Sequence, residues 1–377
     1  MLSSIKKKIL SNEERWCDTL KLHNPYADNW NTLISKKVPD FDIQAYRRYK
    51  KYRFVYDKLW VAQSQGIESG TLESLKNGED NPEFPIFIKP RWGHKTSSSK
   101  NCFKIKDKHD LSKYLSKTDD MMWSEYVAEK EQMTDFMLQQ GQIMHQITYV
   151  YSSEQKGSIA DEWKYIGPDS RPPQAILTWI ANNLSGFTGV CNVQYRGEKI
   201  IEVGLRLARG GAYIYCTNND LLIRNINDLV ETGSWNYLSP EELSFTPFYS
   251  FKCYVTLPIV YIYPQYVMDA IMKVGGCMNF YEYYFEPSGG IGMVGFQFMN
   301  RDYDKGMMVK KIIEALMNLA QLFFYLMIIL LVIVYLFKRK YFLVIGLSIF
   351  LIYLTRIFNP LSINNNLLNS QKQMIFS

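Results

Sequence analysis

GVCNVQYRGEKIIEVGLRLARGG, from Gly189 to Gly211, decides how this chain is read. It predicts two strands joined by a tight turn at Arg196-Gly197-Glu198-Lys199. Strand side chains alternate faces, so Gln194 on the first strand and Glu202 on the second converge on one side of the hairpin. A carboxamide and a carboxylate oxygen placed in this way suit a hard cation such as magnesium. Beyond Glu202, Arg206 and Arg209 add two fixed positive groups able to grip phosphate or carboxylate oxygens as bidentate forks. Taken alone, the segment also reads as an ordinary surface hairpin with a charged edge.

Upstream, FPIFIKPRWGHKTSSSKN (Phe84 to Asn101) predicts an apolar strand ending on Lys89-Pro90 and emptying into a small-residue loop. Gly93 and Ser97, Ser98 and Ser99 allow close backbone approach to phosphate, and Lys89 supplies a point charge. A helix-like segment over Asp107 to Lys117 precedes MMWSEYVAEKEQMTDFMLQQGQIMHQITYVY (Met121 to Tyr151). Here an edge carrying Glu125-Tyr126-Val127 runs into a strand with Glu131 and Asp135. The backbone around Tyr126 and Val127 is placed to hydrogen-bond an adenine, and Glu131 to reach a ribose hydroxyl.

In this order the pieces resemble the ATP-grasp superfamily: a lysine strand with a flexible small-residue loop, a Glu-Tyr-Val hinge, then carboxamide and carboxylate ligands before an arginine. The resemblance runs from about Tyr56 to Gly211. It is nearest to carbamoyl phosphate synthetase large subunits and biotin carboxylases, through Asn192-Val193-Gln194 and Glu202-Val203-Gly204-Leu205-Arg206. YDKLWVAQSQGIESGTLE (Tyr56 to Glu73) is similar to the linking helix and turn of those proteins. It offers Lys58 as a second phosphate ligand. The basic run Arg47, Arg48, Lys50, Lys51 and Arg53 before it also reads as a solvated helix face.

The resemblance implies an α+β fold in which two α/β subdomains sandwich ATP. It implies ATP and Mg2+ as cofactors, with magnesium on Gln194 and Glu202. The nucleotide would lie on Lys58, Lys89, Ser97, Ser98, Ser99, Glu125, Tyr126, Val127, Glu131 and Arg209. Lys89 and Arg206 would act on the transferring phosphoryl group. The reaction implied is ligation of a carboxylate to an amine or other nucleophile through an acylphosphate, with both substrates unspecified. Those families carry an Asn at the position of Gly204 that helps hold a second magnesium, and glycine has no side chain to do so. Two readings therefore stay open, an enzyme built on Gln194 and Glu202 and a nucleotide-binding protein without turnover.

Length and composition bound the rest. The chain has 377 residues, is 47% hydrophobic and 21% charged, and carries a net charge of +6. That is enough to bury one large core or two modest ones. The charge fits anionic nucleotides or a membrane surface, and no nucleic-acid motif accompanies it. Cys17, Cys102, Cys191, Cys216, Cys253 and Cys277 lie far apart without zinc or redox spacing, as thiols of a reducing compartment do. His23, His94, His109 and His145 have no metal-ligand spacing, and His94 and His145 are the two placed to face the site. No apolar run follows Lys6 to Lys8, which argues against a cleavable secretory signal.

The carboxyl end carries a different signal. Leu316 to Phe337 is almost wholly apolar, and a helix of that length crosses a hydrocarbon core of roughly 30 Å. After Lys338-Arg339-Lys340, Tyr341 to Phe358 is a second, shorter apolar run, so a two-span membrane hairpin in a lipid bilayer is expected. The side holding both ends carries Arg301, Lys305, Lys310, Lys311, Arg356 and Lys372, a balance that favours a cytosolic soluble domain. A buried helical pair is the alternative. The expected organisation is a short amino-terminal region (1–45), a linking helix and turn (46–82), an ATP-binding core (83–211), a closing α/β lobe (212–310), the hairpin (311–360, spans 316–337 and 341–358) and a disordered tail (361–377). In the lobe, strands are expected over Ser250 to Pro264 and on both sides of Ser288-Gly289-Gly290, with Tyr281, Tyr283 and Tyr284 on a half-buried face or a ligand wall. A helix follows from Asp304.

Overall fold

The computed structural model describes residues 34–39, 41–95, 101–116, 120–151, 155–156, 159–160, 162–165, 170–208, 220–236, 248–256, 265–280 and 293–337. The chain divides into two units, Trp30–Phe248 and a second formed by Tyr249–Ser377 with Met1–Asn29.

The unit from Trp30 opens with helix α1 (Asp42–Arg48), a tight helical turn (Lys50–Tyr56) and helix α2 (Lys58–Gln63). Asp57 starts α2 by accepting from the amides of Leu59 and Trp60 at 3.1 and 3.4 Å, two of the donors that a helix start leaves unmatched. Gly66, at φ +73°, turns the chain out of α2. Strand β1 (Ser69–Thr71) and helix α3 (Leu72–Lys76) follow, then β2 (Ile86–Pro90), β3 (Phe103–Ile105), a short helix α4 (Lys108–Ser112) and β4 (Met121–Glu125). The strands form an antiparallel sheet in the order β1-β4-β2-β3. Alternation along β2 sends Ile86 and Ile88 into a cluster with Leu72, Leu75, Ile105 and Trp123. Burying each isoleucine contributes roughly 1.5–3 kcal/mol. The same alternation turns Lys89 the other way.

A second antiparallel array follows. Strands β5 (Glu131–Gln139) and β6 (Gln142–Tyr151) meet at Gln140-Gly141, both at positive φ (51° and 83°), which matches a two-residue hairpin turn. A small pair, β7 (Gln155–Lys156) and β8 (Ile159–Ala160), precedes β9 (Glu162–Tyr165), helix α5 (Gln174–Asn183) and the hairpin β10 (Gly189–Arg196) with β11 (Lys199–Gly204). Neighbouring strands run β11-β10-β5-β6-β9. Cys191, Val193, Tyr195, Ile200 and Val203 leave the hairpin on one face and pack with Ile176 and Ile180 of α5 and with Val55, Tyr56 and Val61. The opposite face stays free for polar groups. Helix α6 (Leu221–Thr232) ends at Gly233, at φ +80°.

The other unit contains β12 (Tyr249–Val255), helix α7 (Gln265–Gly275), β13 (Met278–Phe280), β14 (Met293–Asn300) and helix α8 (Tyr303–Phe337). Its strands pair antiparallel in the order β12-β14-β13. Gly306, Val309, Ile313, Met317 and Gln321 of α8 are buried at helical spacing. Glu314 accepts the Tyr254 amide at 3.0 Å, and Asn318 accepts the Thr256 amide at 2.9 Å, so α8 caps the end of β12. Gly306 lets helix and strand approach: a Cβ there would lie 2.2 Å from Cε2 of Phe251, a ring with no exposed surface. Gly306→Ala is therefore expected to cost about 1–3 kcal/mol through overpacking. A thermal melt indistinguishable from wild type would contradict this.

Beyond Gln321 the character of α8 changes. Leu322, Phe323, Leu326, Met327, Ile329, Leu330, Val332 and Ile333 are all exposed. From Tyr303 to Tyr335 the helix is long and apolar enough to cross a membrane, with a mean hydropathy of 2.4 in its most apolar window. The helix expected from Asp304 and the first expected span (316–337) are one continuous helix. No proline and no glycine after Gly306 interrupts the 35 residues of α8. Only this one such helix falls among the described residues. The second expected run (341–358), the tail (361–377), the turn at Ser288-Gly289-Gly290 and Tyr281, Tyr283 and Tyr284 lie outside them.

Candidate functional site

Register decides which side chains meet. Gln194 stands opposite Glu202 across β10 and β11, and Asn192 stands opposite Gly204. Across β10 and β5, Arg196 pairs with Glu131, Gln194 with Met133 and Asn192 with Asp135. By alternation, these side chains and Glu202 share the polar face of the array. The register slips between Gln194 and Tyr195, leaving Ile201 as an extra residue on β11. Its carbonyl accepts from Nζ of Lys89 at 2.8 Å, which brings the end of β2 onto this face. Gln65, just past α2, pairs its amide with the backbone of Ile200, accepting at 2.7 Å and donating at 3.0 Å. That ties α2 to β11 and sets Nζ of Lys58 3.2 Å from Oε2 of Glu202.

Arg206 is held from three sides. The Leu205 amide donates to the Tyr56 hydroxyl at 2.9 Å, and the Ala208 amide to Oδ1 of Asp135 at 2.8 Å. The guanidinium itself sits on Oδ2 of Asp42, with Nε at 2.9 Å and Nη2 at 2.8 Å, and Nη1 donates to the Leu207 carbonyl at 3.0 Å. Asp135, fully buried, also accepts from the Tyr149 hydroxyl and from Nδ2 of Asn192, both at 2.8 Å.

The charges at this face are strongly coupled. Burial, reinforced by the Lys58 ammonium, lowers Lys89 to about 8. Burial alone would raise the Glu202 carboxyl, but Lys58, Lys89 and Arg206 outweigh it and hold Glu202 below its ordinary value. Burial raises Asp135 to about 6 against the pull of its three donors. Lys58, Lys89 and Arg206 thus gather three cations on one face beside the carboxylates Glu202, Asp42 and Asp135.

At the hinge, Nζ of Lys199 lies 2.5 Å from Oε1 of Glu125. Nη2 of Arg196 donates to Oε2 of Glu131 at 2.9 Å, and its Nη1 donates to the Val127 carbonyl at 3.1 Å. The Tyr126 ring has Nζ of Lys104 3.7 Å from its centroid and the Arg196 guanidinium at 5.9 Å.

Lys58, Lys89, Arg206, Glu202, Gln194, Glu125, Tyr126, Val127 and Glu131 are thus described, while Ser97, Ser98, Ser99 and Arg209 lie outside the described residues. Asp42, Arg196 and Gln65 were missed in the sequence. Asp42 is 164 positions from Arg206, and Arg196 reads as a turn residue until the register is known. His94 stacks on Tyr46 at 3.7 Å, and burial lowers it to about 4. Burial lowers His145 to about 4 as well. Both are neutral at pH 7, so neither supplies charge to a phosphate. Cys102, Cys191, Cys253 and Cys277 are not in disulfides. Among the described residues no three His, Cys, Asp or Glu side chains cluster as metal ligands. A divalent cation on Glu202 and Gln194 would therefore draw further oxygens from a phosphate ligand.

No protein-family model and no curated protein matches the sequence. Among solved structures the chain is similar to an L-amino acid ligase from Bacillus licheniformis, with 14% identity, a TM-score of 0.46, and 70% of each chain covered. It is also similar to N5-carboxyaminoimidazole synthetase from Staphylococcus aureus complexed with ADP, with 12% identity, a TM-score of 0.49, and 72% of this chain and 76% of that one covered. A third similar structure is the biotin carboxylase domain of the 2-oxoglutarate carboxylase from Hydrogenobacter thermophilus in complex with MgADP, at 11% identity and a TM-score of 0.43, covering 67% and 63%.

Proposed function

We propose that the chain is a membrane-anchored, ATP- and magnesium-dependent ligase of ATP-grasp type that joins a carboxylate to an amine or other nucleophile. The observation that carries this reading is the cross-strand pairing of Gln194 with Glu202 on a face that also gathers Lys58, Lys89 and Arg206. Two oxygen donors beside three cations match a polyphosphate arriving with a hard divalent ion. When bound, magnesium supplies charge neutralisation at the phosphate oxygens. Lys89 and Lys58 hold those oxygens as point charges, and Arg206 offers its remaining donors to the phosphoryl group in transfer. Catalysis on this face is positioning and charge stabilisation.

Anchorage rests on the contiguous exposed apolar surface of α8, an area that calls for lipid. Arg301, Lys305, Lys310 and Lys311 before that surface favour a cytosolic soluble region, where ATP is available.

A second reading, a nucleotide-binding scaffold without turnover, is favoured by Gly204 and by Arg196, which occupies both Glu131 and the Val127 carbonyl. Calorimetry on the full chain in detergent micelles, with ATP in the presence and absence of Mg2+, tests the nucleotide site. Micromolar binding that needs Mg2+ and is lost in Glu202→Gln is expected. Absence of binding by the folded wild type overturns the site. Binding without ADP release across carboxylate and amine pairs selects the scaffold.

A further inference from the structure

We infer that Asp42, carried on α1, occupies the space beside Gly204 and keeps Arg206 directed at the ligand. The inference rests on the nucleotide reading of the site and adds a positioning residue to it.

The geometry starts at Gly204. A Cβ built there would lie 2.6 Å from Oδ1 of Asp42, closer than a real Cβ approaches, so a side chain at 204 would force Asp42 to shift from its place on Arg206. Gly204 faces the ligand side, two residues beyond Glu202, so the oxygen in that space belongs to the site face. The two oxygens of Asp42 are used differently. Oδ2 takes Nε and Nη2 of Arg206, whereas Oδ1 is buried without a hydrogen-bond partner. A buried unmatched carboxylate oxygen is costly, by about 1–3 kcal/mol, and persists where a function or a ligand uses it.

The pairing also partitions the charges. Two carboxylates, Glu202 and Asp42, and two cations, Lys58 and Arg206, interact with one another. Asp42 takes Arg206, and Lys58 takes Glu202. Without Asp42, a freed Arg206 keeps its attraction to Glu202, the carboxylate required by the cation. Asp42 thereby keeps Arg206 off Glu202, which pairs with Lys58, and leaves two Arg206 N–H groups unspent for phosphate.

Thermal melts and calorimetry on the full chain test this. Gly204→Ala is expected to lower the Tm of the wild type and to be tolerated beside Asp42→Ala, a non-additive pair. Asp42→Ala should weaken Mg-ATP binding about tenfold, the loss of one charge-assisted contact, and leave adenosine binding unchanged. Beside Arg206→Ala it should add nothing. Asp42→Asn keeps the volume, serves if the alanine variant fails to fold, and should lie between. Equal loss of ATP and adenosine, or ATP binding as tight as in the wild type, overturns the role of Asp42. Absence of ATP binding by the wild type overturns the nucleotide reading and this role with it.

Discussion

Asp135→Ala is expected to lower the unfolding free energy by about 3–5 kcal/mol, at the far end of what single substitutions do. The carboxylate accepts from Tyr149, Asn192 and the Ala208 amide, and has no exposed surface. Truncation leaves three buried donors unmatched at about 1–3 kcal/mol each before relaxation. The loss is also local to function. Asp135 anchors the chain just past Arg206, so the guanidinium loses one of its three restraints. Urea denaturation followed by tryptophan fluorescence measures the effect. A cost below about 1 kcal/mol would mean that these donors find other partners.

Lys89→Ala is expected to weaken Mg-ATP binding by about 100-fold, two charge-assisted contacts, with little change in stability. The small stability effect follows from the environment of the amine. Burial lowers it to about 8, so keeping it charged at pH 7 costs the fold, and removing it relieves that cost while surrendering the bond to Ile201. Its pH dependence has two opposed signs. The unfolded chain holds this proton up to about 10.5, so between about 8 and 10.5 it binds more protons than the folded chain, and stability rises with pH there. Phosphate binding falls over the same range because the folded amine loses its charge above about 8. Calorimetry from pH 7 to 9.5 should show ATP affinity declining in the wild type and staying flat in Lys89→Arg. A flat wild-type profile would remove Lys89 from the phosphate site.

The hairpin was legible because its alternation and turn are local, and the same holds for the lysine strand and for the apolar helix. Gln194 and Glu202 are carried by that local hairpin, but they face each other only because the ladder slips by one residue between them and the turn, which a period of two does not supply. Asp42, Arg196 and Gln65 were not legible, since each acts through a contact fixed only by register or by packing of distant segments. Ile201 illustrates the limit, because a one-residue slip in the ladder presents its carbonyl to Lys89 and leaves no trace in composition. That the helix from Asp304 and the apolar span are one element was not read, for another reason. Its first turns carry a mixed polar face and its last turns none, so two halves of one helix read as separate elements.

That continuity has a mechanical consequence. At about 1.5 Å per residue, α8 is a rod of roughly 52 Å, buried at helical spacing as far as Gln321 and exposing its apolar residues beyond it. The arm beyond Gln321 is about 24 Å long, and with no proline or glycine in it, tilting it by about 10° swings its end through roughly 4 Å about the packed part. In the membrane-anchored reading proposed above, changes in bilayer thickness would reach the strand end at Tyr254 and Thr256 as torque through α8.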